Sequence, residues 1–243
     1  AASDVYKRQL YVPLADLDRA PALAEEAIEM GAGALLIASA CPPGHSPSHI
    51  GLAPVWSMAA DAGVPVVFHV GGTGELLDRN YFNNGLPMPP DFHGGEENFR
   101  SVDYMAIPVQ PAQTLATMIF DGVFDRHPNL KGISMEHGAF WLPSWLKALD
   151  YTASLFKRKR EFKQLPSEVA KKHIKVSPFA GEPVGWIIEN VGPDMLVYAS
   201  DYPHPEGTSD PISKFEATMT DCDEKTMNAF YHGNMEDLMG IKL

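Results

Sequence analysis

The segment MLVYASDYPHPEG at residues 195–207 joins an apolar run to an abrupt break. The run leads to Asp201, and Pro203 and Pro205 follow shortly after it. Because proline has no backbone N–H to donate, a strand cannot continue through this pair. Asp201 is therefore predicted to lie where a buried strand ends, and a carboxylate at the edge of a core needs a partner. It is either an aspartate that caps a loop or helix, or a metal ligand or general base at the mouth of a parallel barrel.

Short apolar runs alternate with helical patterns along the rest of the chain, which is typical of βα units and a parallel sheet. The predicted strands lie at about 10–14, 34–39, 64–70, 130–137, 174–178 and 195–201. A closed (β/α)8 barrel has eight strands, so we expect an α/β fold of the TIM-barrel type that is incomplete, with about six of the eight βα units. A doubly wound open sheet is the alternative, although no G-x-G-x-x-G motif follows a predicted strand.

The expected organisation is one domain, residues 10–243, preceded by a short non-native stretch. Residues 1–9 contain no initiator Met, and the sequence SDVYKRQ within them resembles translated sequencing-adapter sequence. We therefore expect native sequence upstream of Leu10 to be missing. Residues 71 to about 111 lack a periodic pattern, and we interpret them as a lid or insertion at the barrel mouth, with disorder as the alternative.

The composition argues against several classes of partner. The 243 residues carry a formal net charge of −12, and the short basic run at residues 157–160 is typical of the solvated end of a helix, so no nucleic-acid partner is expected. No apolar run approaches the ~20 residues that cross a bilayer, so no membrane span is expected. Cys41 and Cys222 lie far apart and give no disulfide framework, which is typical of a protein in the reducing cytoplasm.

Three predicted strands end in side chains that bind metals or exchange protons, namely His69, His137 and Asp201. Each follows an apolar run, and in a β/α barrel the carboxyl ends of the strands form the active face. A single histidine at such a position is more often structural, but three groups at the same end favour a site. Imidazole and carboxylate suit Zn²⁺ or a similar divalent ion, which would acidify a bound water.

Three stretches carry a resemblance to a known family. VVFHVGG at residues 66–72, NLKGISMEHGAFW at residues 129–141 and YASDYPH at residues 198–204 resemble the amidohydrolase-related (type 2) family. This family includes aminocarboxymuconate-semialdehyde decarboxylase and related non-oxidative decarboxylases. The resemblance implies a metal-binding (β/α)8 barrel that acts on a small organic molecule, by hydrolysis or by decarboxylation of a cyclic or aromatic carboxylate. It also implies a homodimer.

The resemblance assigns a role to each strand-end residue. His69 and Asp201 are similar to metal ligands of the family, and Asp201 also takes a proton. His137 is similar to the histidine that activates the metal-bound water in the decarboxylases. Glu136 is expected to point to the opposite side of the strand from His137 and to have a supporting or structural role. Two further residues near the mouth, His204 and Trp141, are candidates for substrate binding, and packing of Trp141 against the barrel is the alternative.

One departure from the family pattern concerns the metal ligands. The first strand of the family normally supplies a His-x-His pair to the same metal, and no His-x-His occurs in this chain. Two protein ligands bind a metal weakly, because zinc sites generally use three or four. The alternative to an enzyme is therefore a truncated, catalytically inactive or binding-only barrel.

Overall fold

A five-stranded parallel sheet organises the structure, and its strands follow one another in chain order. The structure, a computed structural model, describes residues 8–72, 76–87, 101–156, 161–204 and 207–241. The strands are β1 (Gln9–Tyr11), β2 (Ala34–Ala38), β3 (Val66–His69), β4 (Gly132–Met135) and β5 (Ile174–Val176). Each of them coincides with or overlaps a predicted strand, so the α/β class with a parallel sheet is confirmed.

Helices connect the strands and continue beyond the last of them. They are α1 (Arg19–Glu29), α2 (Ala53–Ala62), α3 (Ser101–Ala106), α4 (Val109–Phe120), α5 (Val123–Arg126), α6 (Leu142–Leu155), α7 (Pro166–His173), α8 (Val184–Val191), α9 (Pro211–Glu216), α10 (Glu224–Asn228) and α11 (Asn234–Met239). A doubly wound sheet reverses its strand order at one point, and the described strands show no such reversal. The topology is that of a barrel segment, and the described strands do not close it.

The two faces of the sheet pack against different partners because successive side chains of a strand point to opposite sides. Leu35 and Phe68 belong to the large core beneath the helices. Val67 and Ile133 belong to a smaller cluster on the other face, which Leu238 of α11 joins. Both faces of this sheet are therefore covered with apolar side chains, as is usual for parallel strands.

The predicted sixth strand at residues 195–201 does not form a regular ladder. It makes one parallel bridge to β5, between Leu196 and Val176. Two residues later, the backbone N–H of Tyr198 donates to the carbonyl oxygen of Phe230 at 3.0 Å. Phe230 lies in a π-helical turn, Ala229–Gly233, between α10 and α11. The segment therefore leaves the sheet early because its backbone pairs with the C-terminal helical region, and the count of six strands is corrected to five strands and one bridge.

The predicted mouth insertion lies only partly within the described residues. Residues 73–75 and 88–100 lie outside them, as do residues 1–7 and the basic run at residues 157–160. A 3₁₀ turn covers Arg79–Phe82, and helix already begins at Ser101, ten residues before the expected end of the irregular stretch. None of the helices in the described ranges has the length and apolar character needed to cross a bilayer.

Candidate metal site

The chain turns sharply after two of the apolar runs at the carboxyl end of the sheet. Glu136, directly after β4, has φ +65°, and Asp201 has φ +52°. Positive φ is uncommon for residues other than glycine, and such positions concentrate at functional sites. The register pairs His69 at the end of β3 with Met135 at the end of β4, so the turn at Glu136 begins beside His69.

The Glu136 carboxylate lies between two imidazoles. Its Oε2 is 2.9 Å from Nε2 of His69, and its Oε1 is 3.4 Å from Nδ1 of His204. The Glu136 side chain is only 8% exposed, whereas the His69 and His204 side chains are 38% and 48% exposed. A buried carboxylate therefore meets two imidazoles that solvent or a small molecule can reach.

Glu136 also belongs to a group of metal-ligand-type atoms with Asp201 and His204. One atom from each of the three residues can be chosen so that all three lie within 4.8 Å of one another. Two carboxylates and an imidazole are donors that zinc and manganese accept. His69 adjoins this group through its contact with Glu136. The chemistry and spacing of these donors therefore fit a divalent cation.

Hydrogen bonding fixes the orientation of the His69 ring. Its Nδ1 lies 2.9 Å from the carbonyl oxygen of Val70, and because a carbonyl can only accept, Nδ1 carries a proton. The hydrogen bond to the Glu136 carboxylate raises the pKa of His69, against the opposing effect of burial. Nε2 of His69 either holds a second proton toward Glu136 or presents its lone pair to a cation, which is the arrangement that metal-binding histidines adopt.

His137 is buried, with 2% of the residue exposed, and its ring contacts other residues. Its Nδ1 is 2.9 Å from the Ser134 hydroxyl, and its Nε2 is 3.0 Å from the Ser39 hydroxyl. The Ser39 carbonyl accepts a hydrogen bond from the Thr114 hydroxyl at 2.7 Å. Burial, together with the nearby charge of His69, lowers the pKa of His137 to about 3. The His137 ring is therefore held between two hydroxyls, and its lowered pKa favours the neutral form.

The observed geometry exchanges the expected positions of Glu136 and His137. The two side chains do contact different surroundings, but Glu136 meets His69 and His137 meets Ser39. The physical reason is the positive φ of Glu136, which interrupts the alternation directly after Met135. Sequence reasoning also missed Ser39, although it follows β2 at the same end of the sheet as the other strand-end residues.

The two candidate substrate-binding residues occupy different surroundings. His204 lies in the group of ligand-type atoms with Glu136. Trp141 donates from Nε1 to the carbonyl oxygen of Gly138 at 2.9 Å and packs edge-to-face on Trp145, with ring centroids 5.1 Å apart. These contacts are typical of a side chain that supports the loop after β4, so the structure favours the packing alternative for Trp141.

Comparison with protein-family models assigns the chain to a family. The amidohydrolase model matches residues 1–241, which is nearly the whole chain. The chain belongs to the amidohydrolase family. The match confirms the resemblance carried by the His69, His137 and Asp201 segments. A comparison with curated proteins found no match.

Solved structures with the same fold include several amidohydrolase-family proteins. Amidohydrolase map2389c from Mycobacterium avium subsp. paratuberculosis K-10 is 28% identical, with a TM-score of 0.81 over 97% of this chain and 58% of that chain. 5-Carboxyvanillate decarboxylase LigW from Sphingomonas paucimobilis is 22% identical, with a TM-score of 0.70 over 93% of this chain and 64% of that chain. Dihydroxybenzoic acid decarboxylase from Polaromonas sp. JS666, with bound manganese and 2-nitroresorcinol, is 17% identical, with a TM-score of 0.70 over 94% of this chain and 67% of that chain.

This chain therefore spans less than two thirds of the length of the first two of these structures.

Proposed function

We propose that the protein to which this chain belongs is a divalent-metal-dependent enzyme that acts on a small cyclic or aromatic carboxylate, by hydrolysis or by non-oxidative decarboxylation. The observation that supports this proposal most strongly is the convergence of Glu136, Asp201 and His204 at the carboxyl end of the sheet. Family membership supports the same reaction classes. Two of the structures with a similar fold carry the name of an aromatic-acid decarboxylase, which makes decarboxylation the first reaction to test.

The proposed metal ligands are Asp201 and His69, with Glu136 and His204 as further donors at the same place. A bound divalent ion would supply Lewis acidity and lower the pKa of a water molecule. Carboxylate and imidazole suit both Zn²⁺ and Mn²⁺, and one similar structure contains manganese, so both ions belong in the test.

The chain's own residues would bind and orient the substrate. The imidazoles of His69 and His204 are partly exposed at the mouth, so an anionic substrate can meet them despite the net charge of the chain. Asp201 is proposed to take and return a proton. For His137 the proposed catalytic role requires its ring to leave the Ser39 hydroxyl, because Nε2 is engaged there.

The test combines metal analysis with turnover of aromatic carboxylates, followed as release of CO₂ and as ring-opened or hydrolysed product. Asp201→Asn and His69→Ala are expected to lose bound Mn²⁺ or Zn²⁺ and to lose turnover. The exposed Asp18→Asn is the matched control and should retain both. Normal metal content and normal turnover in both site variants would overturn the assignment.

The inactive, binding-only alternative predicts a different outcome. A folded chain that binds neither ion, or that binds an ion without converting any carboxylate of the panel, would favour it. The homodimer implied by the family is a separate proposal, and light scattering on the purified chain tests it directly.

A further inference from the structure

A second carboxylate, that of the partly buried Glu182, lies behind the loop that follows β4. Glu182 belongs to the connection between β5 and α8, and it accepts hydrogen bonds from backbone N–H groups of two different loops. The Ala139 amide is 2.8 Å from Oε2 and 3.1 Å from Oε1, and the Phe140 amide is 3.2 Å from Oε1. The Phe179 amide is 3.0 Å from Oε2. One side chain thereby ties the loop after β4 to the loop after β5.

The loop after β4 is shaped around this carboxylate. Gly138 has φ +63°, and a Cβ atom at this position would lie 2.7 Å from Oε1 of Glu182 and 3.0 Å from the Phe179 ring. Both the backbone conformation and the close approach therefore favour glycine. Glu136, which also has positive φ, lies two residues earlier on the same loop. The path of the chain from Glu136 to Phe140 is thus set at its far end by Glu182.

The three amides offset the effect of burial on the Glu182 carboxylate. Burial raises the pKa of Glu182, and the hydrogen bonds from the Ala139, Phe140 and Phe179 amides act in the opposite direction. A buried carboxylate without such donors would be costly, and charge-assisted hydrogen bonds are stronger than neutral ones. An amide side chain of the same shape would turn an N–H₂ group toward backbone N–H groups.

We propose that Glu182 is a positioning residue: its carboxylate holds the loop after β4 in the conformation that carries Glu136 between His69 and His204. The inference deepens the proposed function, since the positioned carboxylate belongs to the proposed metal site. Glu182 acts through the loop backbone, and the expected consequence of losing it is a displaced Glu136 carboxylate.

The first experiment uses the metal-free chain, so that it is independent of the proposed function. Glu182→Gln is compared with wild type and with the exposed Glu189→Gln by amide hydrogen exchange and by imidazole ¹⁵N NMR. We expect the Ala139 and Phe140 amides to exchange faster, and the ring resonances of His69 and His204 to shift, in Glu182→Gln only. Unchanged ring resonances, with or without faster amide exchange, would overturn the proposal.

The second experiment measures the affinity of the same proteins for Mn²⁺ by calorimetry. Loss of a group that supports metal ligands typically weakens binding about tenfold to a hundredfold, and we expect a change in this range for Glu182→Gln. Wild-type affinity in Glu182→Gln would overturn the proposal. No Mn²⁺ binding by wild type would instead favour the inactive alternative to the proposed function, and the ring resonances would still decide the role of Glu182.

Glu182→Asp serves as the second variant, because it keeps the charge and shortens the side chain. We expect ring shifts in the same direction as in Glu182→Gln and of smaller size. Should Glu182→Gln fail to fold, wild-type His69 and His204 resonances in Glu182→Asp would overturn the proposal.

Discussion

At each end of the sheet, a carboxylate lies between two basic side chains, but the bases differ. Near the amino end, Asp237 of α11 lies 2.8 Å from Nζ of Lys131 and 3.1 Å from Nζ of Lys175. At the carboxyl end, Glu136 lies between two histidines instead. Lysine stays protonated at neutral pH, whereas imidazole loses its proton near neutrality and binds metals. The amino end is therefore suited to stability, and the carboxyl end to exchange of protons and ligands.

The two lysines beside Asp237 also donate hydrogen bonds to backbone carbonyls. Nζ of Lys175 donates to the Asp194 carbonyl at 2.6 Å, and Nζ of Lys131 donates to the Asp237 carbonyl at 2.6 Å. Although burial acts to raise it, the hydrogen bonds from Lys131 and Lys175 lower the pKa of Asp237. Its contribution to stability is therefore present above the ordinary aspartate pKa and is lost only as pH falls below about 4.

The largest expected pH effect on stability comes from His137 at the carboxyl end. His137 has a pKa of about 3 in the folded chain, against 6.5 for an ordinary histidine. Between these values the unfolded chain binds a proton at His137 that the folded chain does not. The free energy of unfolding should therefore fall as pH drops from about 6.5, by at most about 1.4 kcal/mol per pH unit and roughly 5 kcal/mol in total.

Urea unfolding between pH 4 and pH 7 measures this slope. His137→Gln should make this slope shallower, because it removes a group whose pKa is lowered in the folded chain. A slope in His137→Gln as steep as that of wild type would contradict the assignment of this acid sensitivity to His137.

The next largest effect is the difference in stability at pH 7 between substitutions of the two carboxylates. Asp237→Asn should lower the free energy of unfolding by about 1–2 kcal/mol, because Lys175 is only 8% exposed and loses its charged partner. Glu136→Gln should cost less in the metal-free chain, because the imidazoles beside it can lose their protons. Chemical denaturation of both variants and of the exposed Asp18→Asn gives the comparison. A larger loss of stability in Glu136→Gln than in Asp237→Asn would contradict this prediction.

The smallest predicted effect concerns the hydrogen bond between His137 and the Ser39 hydroxyl. Ser39→Ala removes the hydroxyl beside Nε2 and should lower the free energy of unfolding by about 1 kcal/mol, which is typical of one buried hydrogen bond. The exposed Ser213→Ala should change it by less than about 0.5 kcal/mol. Equal stability of the two serine variants would show that the Ser39 hydroxyl does not hold His137.

The strands and the family were predictable from the sequence because they depend on local patterns. Apolar runs between turn residues located β1 to β5, and the motifs around His69, His137 and Asp201 indicated the family that the model match confirms. The strand at residues 195–201 was overestimated, because sequence periodicity cannot show that Tyr198 pairs with the carbonyl of Phe230 in the C-terminal helical region.

The arrangement of the site was less predictable because it depends on the positive φ angles of Glu136 and Asp201. The alternation rule assigned Glu136 and His137 to opposite sides, but the rule assumes a continuing strand, and the chain leaves strand geometry at Glu136. Nothing in the residue types of a Glu-His pair indicates a positive φ at the glutamate. The three amides that converge on Glu182 come from segments some forty residues apart, which local patterns do not connect.

The most direct test of the proposed metal site is anomalous X-ray diffraction from crystals of the chain equilibrated with Mn²⁺. We expect an anomalous peak within coordination distance of the Asp201 carboxylate and a His69 or His204 ring nitrogen, and no peak beside Asp237, where two lysines already neutralise the carboxylate. Full manganese occupancy elsewhere, with no peak beside Asp201, would contradict the proposed metal site.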